Sequence, residues 1–186
     1  PDGAPRQGAT GEAAMAEAVG QFLESCGAEV RIEEVLPDRP NVIGDFPNGQ
    51  GMKPGLLFAH HTDTVSVKGM TIVPFAAEIR DGKIFGRGAS DTKGTLAAML
   101  WAFHELRDEL PNLDVAVSFV GLMGEEAGQP GSQHFAAAHA NKFAFAVVGE
   151  PTNLETVYAH KGCVWLELSA GGRSCHGSTP LLGDNA

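Results

Sequence analysis

Gly86-Arg87-Gly88-Ala89-Ser90-Asp91-Thr92-Lys93-Gly94 is the stretch on which the fold turns. It follows the apolar Lys83-Ile84-Phe85 and opens into a helical pattern, with Leu96, Met99, Leu100, Phe103, Leu106 and Leu110 spaced by three and four. Asp91 therefore stands at a strand-to-helix junction. In α/β proteins such junctions gather at the carboxyl ends of strands, where ligands bind and glycines permit tight turns. Asp is also a common helix cap, so the position alone leaves both readings open.

Three other junctions tip the balance. Residues 55–59 read as a continuous apolar strand, buried on both faces, that runs into His60-His61-Thr62-Asp63. An imidazole two residues before a carboxylate suits a metal site, because one ring nitrogen binds the ion while the acid holds the proton on the other. That spacing selects His61 with Asp63 and leaves His60 as a packed bystander. Residues 114–122 form the next apolar strand, ending at Gly124-Glu125-Glu126-Ala127-Gly128, where adjacent carboxylates repel unless a cation or proton is shared. Residues 143–148 read as another buried strand, closing on Gly149-Glu150. His61, Asp91, Glu125, Glu126 and Glu150 are thus expected at one edge of a parallel sheet. Imidazole and oxygen donors without thiolates suit zinc or a similar divalent ion in a hydrolytic site, and a shared carboxylate allows two ions about 3.5–4 Å apart.

Around this frame, residues 10–26 predict a helix with Met15, Val19, Phe22 and Cys26 on one face, Thr10 as a cap and Gly27 as its stop. Residues 28–36 alternate as a strand near a sheet edge, 37–40 break it, and 41–44 form a short second strand. Asp81-Gly82 signals a hairpin between Ile79 and Ile84. The helix after Asp91 runs to Pro111 with His104 facing solvent, and 131–141 form another helix. From Glu155 the texture changes: 156–162 and 163–170 read as strands of a second sheet, and Pro180 opens a helix.

The 186 residues carry a formal net charge of −10, which argues against a nucleic-acid partner. No apolar run is long enough to span a membrane. Cys26, Cys163 and Cys175 include no C-x-x-C pair and are odd in number, pointing to a reducing, cytoplasmic setting.

Taken in order, His61-x-Asp63-Thr64-Val65, Gly86-Arg87-Gly88-Ala89-x-Asp91-x-Lys93-Gly94, Gly124-Glu125-Glu126-x-Gly128, Gly149-Glu150-Pro151-Thr152, His160-Lys161-Gly162 and Gly172-Arg173 to Pro180 resemble the co-catalytic zinc amidohydrolases and peptidases. That family includes acetylornithine deacetylase, succinyl-diaminopimelate desuccinylase, aminoacylase and glutamate carboxypeptidase. The resemblance implies a three-layer α/β catalytic domain with a mostly parallel sheet in residues 1–154. It also implies the start of an inserted α+β dimerisation or lid domain in 155–186. His61 and Glu150 would bind one Zn2+, Asp91 would bridge, and Glu126 would bind the second, with Co2+ or Mn2+ able to substitute. Glu125 would activate the water between the metals, Asp63 would orient His61, and the Asp91-Thr92 peptide would be cis. His176 would reach a partner subunit's active site in a homodimer, and Arg173 is a candidate for gripping a carboxylate.

The implied activity is deacylation of an N-acyl amino acid. A dipeptidase or carboxypeptidase of the same mechanism is the alternative, as is a non-catalytic relative acting as a dimerising binding module. The family's last zinc ligand is a histidine far downstream, so the chain reads as an N-terminal fragment that is inactive by itself.

Overall fold

The computed structural model describes residues 11–47, 55–162, 164 and 166–185. In chain order its elements are α1 (Ala13–Ser25), β1 (Glu29–Leu36), β2 (Arg39–Phe46), β3 (Gly55–His61), β4 (Glu78–Arg80), β5 (Lys83–Phe85), α2 (Lys93–Leu106), β6 (Val117–Leu122), α3 (Pro130–His139) and β7 (Phe143–Val148). Two compact units result, Pro1–Asn153 and Leu154–Ala186.

In the first unit the apolar runs pair into a five-stranded sheet ordered β1-β2-β6-β3-β7. β3 pairs parallel with β6 and β7, whereas β2 is antiparallel to both β1 and β6. Four strands therefore share one direction and only β2 is reversed, so the sheet is mostly parallel.

Side chains alternate across a strand, so a sheet with apolar residues on both faces needs a cover on each. On one face Val19, Leu23, Leu96 and Phe103 of α1 and α2 pack on Val42, Phe46, Val117 and Phe119. On the other, Phe135 of α3 packs on Ile43, Leu57, Ala59 and Val120. The layers are helix, sheet, helix. Phe103 stacks on Phe46 with ring centroids 4.8 Å apart and meets Phe58 edge-on at 5.2 Å. β4 and β5 form the expected hairpin around Asp81-Gly82.

Several expectations need correction. β2 is a full strand, since the break shrinks to Pro37-Asp38. Pro40 enters the ladder opposite Glu34 beside a bulge, where its missing N–H is accommodated. α2 stops at Leu106, and Leu110–Asn112 form a separate 3-10 turn that buries Leu110. Asp91 does not cap α2. Thr92 occupies the N-cap, and the Asp91-Thr92 peptide is cis, as the resemblance implies. His104 is half-buried against Trp101 and Phe22 rather than solvent-facing.

β7 is not a buried strand. In this chain it forms the sheet's edge, and both of its faces are largely uncovered, with Phe145 66% and Val148 62% exposed. Thr10, the expected cap of the first helix, lies outside the described residues; Glu12 is the N-cap of α1.

In the second unit the described residues of 156–170 form no strand, because they find no pairing partner, and Leu166 and Leu168 are exposed. Cys163 and Trp165 lie outside the described residues. Arg173 and Asp184 form an isolated antiparallel bridge, and Pro180–Leu182 make one 3-10 turn instead of opening a helix. Among the described residues no helix is long and apolar enough to cross a membrane.

Candidate metal centre

His61 ends β3, which lies between β6 and β7, and is buried. Its Nδ1 faces Asp63, 3.1 Å from the backbone carbonyl oxygen and 3.3 Å from Oδ1. Its Nε2 lies 3.1 Å from Asp91 Oδ1 at the start of α2. The ring is thus held by one nitrogen and presents the other to the junction that opens the next helix. Glu126 completes the cluster from the turn after β6. One ligand atom from each of His61, Asp91 and Glu126 lies within 4.8 Å of the others.

That turn is fixed from behind. Gly124 and Gly128 bound the 3-10 turn Glu125–Ala127 with φ of 70° and 88°, a left-handed conformation suited to glycine. The Asp63 carboxylate accepts the N–H of Glu125 at Oδ1 (3.0 Å) and of Glu126 at Oδ2 (3.1 Å). Asp63 thereby orients His61 and the two glutamates together. Gln129 Nε2 donates to Glu125 Oε1 at 3.0 Å.

Glu150 follows β7. Its carboxylate interacts with His61, Asp91, Glu125 and Glu126, although it stands outside the 4.8 Å cluster. His176 belongs to the second unit, where its Nδ1 lies 2.8 Å from Ser178 Oγ. Arg173, in that unit as well, faces Asp184 at 3.8 Å.

Electrostatics mark this cluster as crowded with negative charge. Burial, followed by repulsion from Asp91 and Glu125, raises Glu126 above the usual carboxylate range. Burial likewise raises Glu150, with Asp91, Glu125 and Glu126 adding to it against the attraction of His61. Burial alone would pull His61 down, but hydrogen bonds and charge from Asp63, and then Asp91, push it up to about 9. Burial would raise Asp63, yet the His61 imidazole and the N–H groups of Glu126 and Glu125 leave it lowered. Carboxylates forced together around one imidazole are what a divalent cation relieves, and an N/O donor set without thiolates fits such an ion.

Some supporting residues were not legible in the motifs. His60 packs at the end of β3 outside the ligand cluster, as expected, and it is also anchored there: it is fully buried, its Nδ1 donates to the His61 carbonyl at 2.6 Å, and its Nε2 lies 2.9 Å from Thr95 Oγ1. Thr95 is 2.7 Å from the Thr92 hydroxyl, which donates to the Gly149 carbonyl at 3.3 Å. This chain of contacts links β3, α2 and the loop after β7. Arg39 pairs bidentately with Glu12 at 2.8 and 2.6 Å, both residues buried. Its Nη2 would lie 3.4 Å from a Cβ at Gly124, so the pair sits under the glutamate turn.

His61 ends and Glu126 follows a parallel strand of the main sheet, whereas Asp91, expected at the same sheet edge, comes instead from the segment after β5 of the separate hairpin, which brings it to the same point. A histidine and carboxylates gathered there fit a metallohydrolase-type centre. Residues 57–169 match the family described as Peptidase family M20/M25/M40, and the chain belongs to it. This is a family of metal-dependent hydrolases of amide and peptide bonds.

The chain is 32% identical over 179 residues to a probable succinyl-diaminopimelate desuccinylase of Staphylococcus epidermidis, covering 94% of this chain and 44% of that protein. It is 32% identical over 177 residues to an acetylornithine deacetylase of Proteus mirabilis, covering 93% and 44%. A solved structure of an M20 family metallo-carboxypeptidase, Sso-CP2 from Sulfolobus solfataricus, matches with a TM-score of 0.62 and 26% identity, over 74% of this chain and 32% of that one. The chain spans less than half the length of these curated relatives.

Proposed function

We propose that the chain supplies most of a two-zinc centre that hydrolyses the amide of an N-acyl amino acid, in the manner of an acetylornithine deacetylase. The observation that carries this reading is the convergence of His61, Asp91 and Glu126 within 4.8 Å, from three separate strand-end junctions. In it, His61 and Glu150 would hold one ion, Glu126 would hold the other, and Asp91 would serve both. Asp63 keeps the proton on His61 Nδ1, so that Nε2 is free to bind.

Bound divalent ions supply Lewis acidity, lowering the pKa of water and polarising the scissile carbonyl. Glu125, beside the ligands but outside their cluster, is the general base. It accepts the proton of the attacking water as the water oxygen bonds to the carbonyl carbon. It returns that proton to the departing amine as the C–N bond breaks.

Residues 1–154 then form part of the catalytic domain and 155–186 the beginning of a lid through which a homodimer assembles. His176, its Nδ1 held by Ser178, donates to the developing oxyanion of a partner subunit. Among the described residues Cys26 and Cys175 are free thiols, which supports a reducing, cytoplasmic setting. The Sulfolobus relative's name supports a second reading, a carboxypeptidase or dipeptidase using the same groups.

Metal analysis tests the centre in this chain: stoichiometric Zn2+ or Co2+ lost on His61→Ala supports it, and no uptake sinks it. The reaction is tested in a protein that spans the relatives' full length. N-acetyl and N-succinyl amino acids and dipeptides are compared as substrates, and Glu125→Gln should abolish turnover while keeping the metal. Turnover unaffected by that change would refute the role of the base.

A further inference from the structure

The turn that carries Glu125 and Glu126 has a second support that none of the roles above uses. Asn41 lies on β2, fully buried, one residue beyond the point where pairing with β6 ends at Val42↔Gly121. Its side chain continues what the ladder leaves off. Oδ1 accepts the Met123 N–H at 3.0 Å, and Nδ2 donates to the Gly131 carbonyl at 2.9 Å. Only one orientation of the amide serves both groups, since the N–H needs an acceptor and the carbonyl a donor.

Met123 and Gly131 are themselves joined, Gly131 N–H to the Met123 carbonyl at 3.2 Å. Residues 123 and 131 are therefore the two ends of a loop closed on a single buried amide. The approach leaves no room for a side chain: a Cβ at Gly131 would lie 2.6 Å from Asn41 Oδ1 and 2.4 Å from the Met123 carbonyl oxygen.

We infer that Asn41 is a positioning residue for the metal centre. Asp63 grips the middle of the loop, at the N–H groups of Glu125 and Glu126, and Asn41 clamps its ends. With the ends fixed, the Glu126 carboxylate stays within ligand distance of His61 and Asp91. Without Asn41, buried backbone groups at both ends lack partners and the loop must shift or open to satisfy them. Groups that orient ligands from behind typically change metal affinity by about 10- to 100-fold when removed. The inference rests on the metal-centre reading proposed above.

The test compares wild type, Asn41→Leu, Asn41→Ser and Leu23→Ala in the chain as described. Leu23 is a fully buried core residue of α1, so Leu23→Ala destabilises the fold without touching the loop. The readouts are Co2+ affinity by calorimetric titration and amide hydrogen exchange across residues 123–131 in metal-free protein. Asn41→Leu should raise the Kd for Co2+ at least about tenfold and speed exchange in the loop by a similar factor. Leu23→Ala should lower Tm while leaving the Kd unchanged.

Asn41→Ser, whose short side chain lets water reach both backbone groups, carries the test if Asn41→Leu does not fold, with the same direction expected. An Asn41 variant with the wild-type Kd or wild-type loop exchange overturns the inference. So does a Leu23→Ala protein that loses affinity as much as Asn41→Leu, which would make the effect one of stability alone. A wild-type chain that takes up no Co2+ overturns the metal reading itself, a result distinct from unaltered binding in the Asn41 variants.

Discussion

β6 and β7 flank β3 on opposite sides, run parallel to it, and lead into a glycine followed by a carboxylate, yet they are held differently. β6 lies between β2 and β3, and its Phe119 and Val120 are fully buried. β7 is an edge whose apolar side chains are largely exposed. The carboxylates after β6 are placed by side-chain clamps from Asp63 and Asn41. The loop after β7 is fixed by the Gly149 N–H on the Ala59 carbonyl and by the Thr92 hydroxyl. An apolar run thus specifies a strand, while its place in the sheet decides what the strand contributes to stability and how firmly it sets the residue at its end.

The sharpest way to break this comparison is to truncate one phenylalanine on each strand. Phe119→Ala should destabilise the metal-free chain by about 3–5 kcal/mol in urea unfolding. Phe145→Ala, on the exposed edge, should stay within about 0.5 kcal/mol. Equal losses would show that β7 is as buried as β6.

A comparable effect comes from pH at the end of β3. The His61 pKa in the folded chain is about 9, above its ordinary value of 6.5, so the folded state holds the proton more tightly than the unfolded one. The resulting stability is fully present below pH 6.5 and is lost as pH rises through 9. Its upper bound is about 3 kcal/mol. Urea unfolding of metal-free protein across this window should show the decline, and His61→Gln should flatten it. Saturating Co2+ should also remove it, because the ion competes with that proton.

Next in size is Asp63→Asn, which keeps the shape but weakens hydrogen bonds to His61, Glu125 and Glu126. A cost of about 2 kcal/mol at pH 7 is expected, together with a fall in the His61 pKa measurable by NMR titration. Smallest is Thr92→Val, which removes the hydroxyl on the β7 side and should cost about 1 kcal/mol. A larger loss for Thr92→Val than for Asp63→Asn would reverse the contrast between the two loops.

The parts of this fold that could be read from sequence are those written in neighbouring residues. Apolar runs closed by His60-His61 or by Gly-Glu revealed β3, β6 and β7, and the two-residue spacing of His61 and Asp63 foretold that Asp63 would hold one nitrogen of the His61 ring. The convergence of His61, Asp91 and Glu126 was accessible because each follows such a run. What stayed hidden depends on long-range pairing. Asn41 gains its meaning from Met123 and Gly131, 82 and 90 residues away. β7 was read as buried because its composition resembles that of β6, and nothing local distinguishes an edge from a centre. Residues 156–170 have the composition of strands, but the described residues among them find no partner and form no sheet.

The pair between Arg39 and Glu12 has a practical consequence for where this polypeptide can be cut. A protein trimmed to begin at Ala13 would retain every residue of the first helix. It would nevertheless strand a guanidinium in the interior beneath Gly124, a defect expected to cost about 3–5 kcal/mol. Protease sites or purification tags placed ahead of that helix should therefore leave position 12 intact.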